Sequence, residues 1–228
     1  MNNEVIPVIA IDGPSATGKG TLAASLAAHL GFHLLDSGSL YRVLGVAVAR
    51  AGLSLDDPEV IAQVARNLDI QFGLHGSGSV ALDGEDVSIV IRTDLGSDMA
   101  SKVGAIPAAR EALLDRQLAF RQSPGLVADG RDMGTVVFPD ATVKFFLTAS
   151  AEARAQRRYK QLLDKGIDAI FPALLRDLVE RDRRDYRRSA SPMQPASDAI
   201  LIDTTELGRS EVMEQVLKSV TLALARER

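Results

Sequence analysis

The chain has 228 residues, 46% of them hydrophobic, which suits one large domain or a core with small insertions. It has no cysteine, so a disulfide scaffold, a thiolate metal site and a cysteine nucleophile are all excluded. A net charge of −4 and the absence of Trp argue against a general nucleic-acid binder or a base-stacking platform. No basic stretch with an apolar core opens the chain, and no apolar run is long enough to span a bilayer. A cytoplasmic protein with no membrane association is expected, with a monomer as the default.

An apolar run, Val5–Ile11, reads as a buried strand and leads into Gly13-Pro14-Ser15-Ala16-Thr17-Gly18-Lys19-Gly20-Thr21. After it, Leu22, Leu26 and Leu30 recur every four residues, with Gly31 as a stop. Strand, glycine loop and helix in that order make GxxxxGK a phosphate site. The glycines let the backbone curl its N–H groups inward, and the helix dipole points at the same place. Lys19 adds a mobile cation for the transferring phosphoryl group. The bland alternative is a glycine turn between a core strand and a core helix.

A second strand is expected at Phe32–Leu35, followed by Asp36-Ser37-Gly38-Ser39-Leu40-Tyr41-Arg42. Polar residues opening a helix present N–H groups and hydroxyls, and Arg42 offers a fork for phosphate; an ordinary cap with a surface arginine explains the same pattern equally well. Leu68–Phe72 alternates apolar and polar, His75–Ser79 is turn chemistry, and Asp83-Gly84 is a tight-hairpin signal. Together they predict a small antiparallel insert over roughly residues 66–92. Pro107 is placed to start a helix that carries Leu113, Leu114 and Leu118 on one face.

A third buried strand, Leu126–Ala128, runs into Asp129-Gly130-Arg131-Asp132-Met133-Gly134-Thr135. Two carboxylates and an arginine bracketing a glycine after a central strand point to a site, with an internal Asp–Arg pair in a turn as the plainer option. Buried strands are also expected at Val143–Leu147 and Ile200–Ile202, and a last helix over about Ser210–Ala225. Between them, residues 151–190 hold 11 basic and 7 acidic residues on an otherwise acidic chain. Arg154, Arg157, Arg158 and Gln161 share a helical face, as do Arg181, Arg184, Asp185 and Arg188. Two such helices joined near Gly166 make either a closing lid or a salt-bridged solvated hairpin. His29, His33 and His75 have no metal-ligand spacing, and Met99, Met133, Met193 and Met213 look like packing or chance.

GxxxxGKGT, DSGxxYR, DGRDMGTVVFPDA and the RDxxDxxR-like run from Arg181 to Arg188 together resemble the bacterial cytidylate (CMP) kinases, over nearly the whole chain. The resemblance implies an α/β fold: a P-loop three-layer core on a five-stranded parallel sheet, a small antiparallel monophosphate-binding insert and a helical lid. It implies a single kinase domain over 1–228, with the core at 1–65, 93–150 and 190–228, the insert at 66–92 and the lid at 151–189. The reaction implied is transfer of the γ-phosphoryl of ATP to CMP or dCMP. ATP would lie on Gly13, Pro14, Ser15, Ala16, Thr17, Gly18, Lys19, Gly20 and Thr21. Arg42 and Arg131 would grip the CMP phosphate. Ser37, Ser101, Arg110, Asp132 and Arg188 would line the cytosine pocket, with Tyr41 and Asp129 in the same CMP site. Arg181 and Asp185 would reach the ribose. Lys19 and Arg131, with the lid arginines Arg154, Arg157 and Arg158, would carry the catalysis.

Gly20 stands where many P-loop proteins place a magnesium-binding Ser or Thr, and Thr21 comes one residue later. No protein metal ligand is therefore expected. Mg²⁺ is expected with ATP, held by phosphate oxygens and water, with Asp129 as the acidic group that would steer it. The rivals at this stage are a UMP or AMP kinase and a nucleotide-sensing module without turnover. A P-loop GTPase lacks support because no Asn-Lys-x-Asp motif occurs.

Overall fold

Strands whose two faces are both covered need apolar side chains at every position. Val8–Asp12 (β1) is apolar up to its closing Asp12 and is buried from end to end. In this computed structural model, which describes residues 6–76, 78–164 and 166–226, β1 leads to helix α1 (Lys19–Leu30) and strand β2 (His33–Asp36). Helices α2 (Ser37–Arg50) and α3 (Pro58–Asn67) follow, then strands β3 (Ile70–Phe72), β4 (Val80–Leu82) and β5 (Glu85–Asp86). After a 3₁₀ turn (Val90–Arg92) come helices α4 (Asp94–Val103) and α5 (Pro107–Leu118) and strand β6 (Leu126–Gly130). A π-helical turn (Met133–Val137) precedes strand β7 (Val143–Thr148). The chain ends with helices α6 (Ala151–Leu163) and α7 (Phe171–Arg187), strand β8 (Ile200–Asp203) and helix α8 (Arg209–Arg226). The expected strand start at Val5 and turn residue Ser77 lie outside the described residues.

The chain divides into two compact units, one of residues 1–35 with 118–228 and the other of residues 36–117. In the first, five strands form a parallel sheet in the order β2-β6-β1-β7-β8. Ile9 and Ile11 of β1, Val127 of β6 and Phe145 and Leu147 of β7 pack with Leu22 and Leu26 of α1 and Val212 and Val216 of α8. Only the three inner strands are covered along their length, β6 and β1 throughout and β7 up to its half-buried last residue Thr148. Contrary to the expectation of five buried strands, Leu34 of β2 and Leu201 of β8 are exposed. Each belongs to an edge strand, which has a neighbour on one side only.

In the second unit, β3, β4 and β5 form the antiparallel sheet expected from the hairpin signal. Leu82 pairs with Glu85, so the turn is the two residues Asp83 and Gly84, both at positive φ (52° and 80°). That is the geometry a two-residue hairpin requires. Side-chain caps start its helices: Asp57 accepts from Val60 N at 3.2 Å ahead of Pro58, and Thr93 accepts from Gly96 N at 3.1 Å. On α5, Leu113 is fully buried, but Leu118 at the helix end is 40% exposed, so the expected apolar face is shorter than its spacing suggests.

Helices α2 and α4 approach so closely that a Cβ on Gly45 would lie 2.8 Å from Met99 Cβ and 3.3 Å from its backbone carbonyl carbon. Alanine is the better helix former by about 1 kcal/mol. Gly45→Ala is nevertheless expected to destabilise the protein by about 1–3 kcal/mol, because a backbone must move. Urea unfolding measures this, and a more stable variant would show that the helices separate freely.

Candidate nucleotide-binding site

The loop between β1 and α1 is shaped by close backbone approach. Gly13 has φ +140°, and a Cβ there would lie 2.1 Å from the carbonyl oxygen of Leu147, so only glycine fits. Lys19 is buried and folds back: its Nζ donates to Pro14 O at 3.1 Å and stands 4.0 Å from Asp129 Oδ1. Thr17 Oγ1 donates to the same carbonyl at 3.1 Å. A Cβ on Gly20 would meet Asp129 Oδ2 at 3.0 Å, so a Ser or Thr at this position would crowd that carboxylate.

Arg131, following β6, ties the loop to the arginine-rich helix. It donates from Nη2 to Ser15 Oγ at 2.8 Å and from Nε to Asp185 Oδ2 at 3.2 Å. Arg181 reaches the same Asp185 oxygen at 4.0 Å, one turn away on α7. Arg154 on α6 is buried, donates to Ser15 O at 3.2 Å and Ala149 O at 3.1 Å, and pairs with Asp182 at 2.6 Å. Arg157 donates to Thr17 O at 3.3 Å, to Thr204 Oγ1 at 3.0 Å and to the Thr204 carbonyl. Arg158 bonds Gln161 on its own helix at 2.9 Å. The three arginines share one stretch of helix, but Arg154 and Arg157 reach the loop's backbone while Arg158 turns to its neighbour. Asp132 is buried at the entrance to the π-helical turn, and Arg188 lies half-buried at the end of α7.

In the unit of residues 36–117, Asp36 caps α2. Its Oδ1 accepts from Ser39 N at 2.9 Å and its Oδ2 from Ser39 Oγ and Arg42 Nη2, the latter at 2.9 Å. A Cβ on Gly38 would come within 3.2 Å of Arg42 Nη1, so the glycine lets Arg42 lie back over the helix start. Arg110 is buried with its guanidinium 5.3 Å from the centre of the Tyr41 ring, and it donates to Gly104 O at 3.2 Å. Ser37 and Ser101 are buried on α2 and α4.

Two residues that carry this geometry escaped the sequence reading. Thr204, just past β8, has its Oγ1 within hydrogen-bond reach of Thr17 O at 3.1 Å and Thr148 O at 3.0 Å, with one proton to donate to either. Asp12, the last residue of β1, accepts from Met133 N and Gly134 N, both at 2.8 Å. The signal available for Asp12 was an acid closing an otherwise apolar strand. Burial pushes the Asp12 carboxyl up to about 7; the two N–H donors oppose this, and the charges of Asp132 and Asp129 add to it. Burial also raises the carboxyl of Asp182, against the pull of Arg154.

A glycine loop between the first strand and helix of a parallel sheet, with its lysine and a ring of arginines, defines the P-loop nucleotide kinases as the class. Residues 9–222 match the model of the Cytidylate kinase family. A cytidylate kinase of Shewanella denitrificans is 53% identical over 226 residues, covering 98% of this chain and 100% of the relative. Those of Shewanella frigidimarina (55% over 222 residues; 96% of both chains) and Pseudomonas aeruginosa (54% over 220 residues; 95% and 96%) are equally similar. The chain belongs to the cytidylate kinase family. Among the described residues no helix is long and apolar enough to cross a membrane, and no three His, Cys, Asp or Glu side chains cluster as a metal site.

The folded chain holds the Asp12 proton more tightly than the unfolded chain, with a carboxyl raised from 3.8 to about 7. Stability from this group is therefore fully present below the unfolded value, falls as pH rises through that window, and is level above it. Asp12→Asn removes the titration. The stability difference between the parent and Asp12→Asn should shift against the parent, by on the order of 1–4 kcal/mol, between about pH 4 and about pH 8. Urea unfolding of both proteins across that range measures it; parallel profiles would mean that Asp12 ionises normally.

Proposed function

We propose that the protein transfers the γ-phosphoryl group of MgATP to CMP or dCMP, giving ADP and CDP or dCDP, and that it does so as a monomer on free nucleotides in the cytoplasm. Family membership supports the reaction, and the net charge of −4 speaks against nucleic acid as the substrate. The observation that carries the residue assignments is Arg131. One guanidinium spans the phosphate loop at Ser15 and the acidic partner of the arginine helix at Asp185, so donor and acceptor chemistry meet on one side chain.

The loop Gly13–Thr21 holds the ATP phosphates through its backbone N–H groups, and Lys19 neutralises the oxygens of the transferring group. The acceptor is already an anionic phosphate oxygen, so no general base is needed and catalysis is positioning plus charge neutralisation. Arg131 and Arg154 supply further positive charge beside the loop. Arg157 and Arg158 belong to the same lid, with Arg157 acting from Thr17. Lid closure over the phosphates excludes water and suppresses hydrolysis. Magnesium arrives with ATP. Phosphate oxygens and water would hold it, and Asp129, 4.0 Å from Lys19 Nζ, is the carboxylate that would steer its hydration shell.

Arg42 binds the nucleotide's phosphate from the start of α2, while Arg181 and Asp185 engage the ribose hydroxyls. Asp132, with Arg110, Arg188, Ser37, Ser101 and Tyr41, reads the base. Cytosine presents an amino donor beside a ring-nitrogen acceptor, and uracil reverses both. A buried carboxylate accepts from the amino group, and uracil would face it with a second acceptor. Such a mismatch discriminates by up to about 10⁴ in well-built sites.

Phosphoryl transfer from ATP across the common nucleoside monophosphates tests the assignment, with CMP and dCMP expected as the preferred acceptors. Lys19→Ala should lower turnover by about 10²–10³-fold with the fold intact; near-normal CDP formation would remove Lys19 from the chemistry. Asp132→Ala should lower the CMP-to-UMP ratio of kcat/KM by about tenfold or more. An unchanged ratio would take the base-reading role away from Asp132.

A further inference from the structure

The Asp12 carboxylate spends both oxygens on one distant loop. Oδ1 accepts from Met133 N and Oδ2 from Gly134 N, each at 2.8 Å, and the side chain is buried. Its own backbone is fixed in the middle of the sheet, where it pairs with Gly130 of β6 and Phe146 of β7. Met133 and Gly134 open the π-helical turn, which closes through Val137 N to Asp132 O at 3.2 Å and Phe138 N to Met133 O at 2.7 Å. Asp132 is therefore the residue from which that turn hangs, and it directly precedes the two amides that Asp12 holds. On its other side the turn is walled by Lys144, whose stem would lie 3.1 Å from a Cβ on Gly134.

We propose that Asp12 is a positioning residue for base selection: it aims the Asp132 carboxylate by gripping the two amides that follow it, and so sets the preference for a cytosine over a uracil acceptor. The inference rests on the base-reading role of Asp132 given above. Two adjacent N–H groups call for two acceptors on one short side chain. Aspartate supplies them, whereas asparagine would turn an NH₂ toward one of the donors. Burial here raises the carboxyl to about 7, so this residue is costly to the fold, and an apolar side chain would be cheaper to bury. What offsets that cost is the grip on two amides, and those amides adjoin the one carboxylate assigned to the base.

The test is the ratio of kcat/KM for CMP and UMP at saturating MgATP, measured for the parent, Asp12→Asn, Asp132→Ala and the double variant. Because it is a ratio, it does not depend on the folded fraction. Asp12→Asn should lower it by about tenfold or more while the KM for ATP moves less than about threefold. The double variant should be no less selective than Asp132→Ala alone, since Asp12 acts through Asp132. If Asp132→Ala lowers the ratio and Asp12→Asn loses turnover at unchanged ratio, Asp12 is merely structural and the inference falls alone. If Asp132→Ala leaves the ratio unchanged, the base-reading assignment itself is wrong. Asp12→Ser retains one acceptor and should give an intermediate ratio. Should neither Asp12 variant fold to active enzyme, Asp12 is a requirement of the core and the positioning role is overturned.

Discussion

Arginines buried beside a phosphate loop need acceptors of their own, and this requirement organises the larger unit. A guanidinium without partners is expensive to bury, and its five donors can be satisfied only by carboxylates or carbonyls placed around it. Arg154 is 4% exposed and finds Asp182, Ser15 O and Ala149 O. Arg131 finds Asp185, Ser15 Oγ and Gly130 O. A loop that curls its N–H groups inward turns its carbonyls outward. Ser15 O and Thr17 O, both taken by arginines of α6, are of that outward set. The loop thus has an inner side suited to anions and an outer side suited to cations.

The outer side also explains why distant segments converge on it. Thr17 O accepts from Arg157 of α6 and from Thr204, which follows β8. Arg157 in turn donates to Thr204, so helix, loop and sheet edge share one small set of hydrogen bonds. Gly13 fixes the other end of the loop by pressing its backbone onto Leu147 of β7. Held at both ends, the loop keeps its shape through backbone contacts that depend little on the side chains it displays. This preorganisation is what a site working by charge placement requires.

Much of this was legible in the sequence wherever the physics is local. The Asp83-Gly84 turn was readable because two adjacent residues must adopt positive φ, which few residue pairs tolerate. The inner strands were readable because two-sided burial favours apolar runs, broken here only by Lys144 in β7 and by the acids toward the ends of β1 and β6. What escaped involves partners far apart in the chain. Asp12 meets Met133 and Gly134 across about 120 residues, and Thr204 meets Thr17 across 187. No periodicity marks such pairs. The closing carboxylate of β1 lies one residue past the apolar run Val5–Ile11, in the gap before the glycine loop at Gly13, so nothing in the pattern marks it as part of the strand. Edge strands were overrated for a related reason: Leu34 and Leu201 sit in apolar runs, but coverage depends on the sheet order, which composition does not encode.

The basic stretch of residues 151–190 left two alternatives open, a lid that gathers charge or a solvated hairpin of intermixed charges, and its ion pairs are of two kinds on the same helices. Arg176 pairs with Asp177, and Arg183 with Glu180, at distances of 3.6 and 3.8 Å with all four side chains more than half exposed. Such pairs contribute little to stability and are what a solvated face looks like. Arg154 with Asp182 and Arg131 with Asp185 are the reverse, with acceptors buried at 9% and 3% exposure. The difference follows from helix geometry. On α7, Asp182 and Asp185 stand three residues apart and share the inner face, with Arg181 beside them, while Glu180 and Arg183 are turned outward. Charge excess alone could not separate these sets, because both draw on the same composition. The acids decide it: a carboxylate sequestered from water on the inner face would be untenable without an arginine aimed at it, so wherever Asp is buried on α7 the facing arginine is part of the loop's surroundings rather than of the solvent-exposed surface.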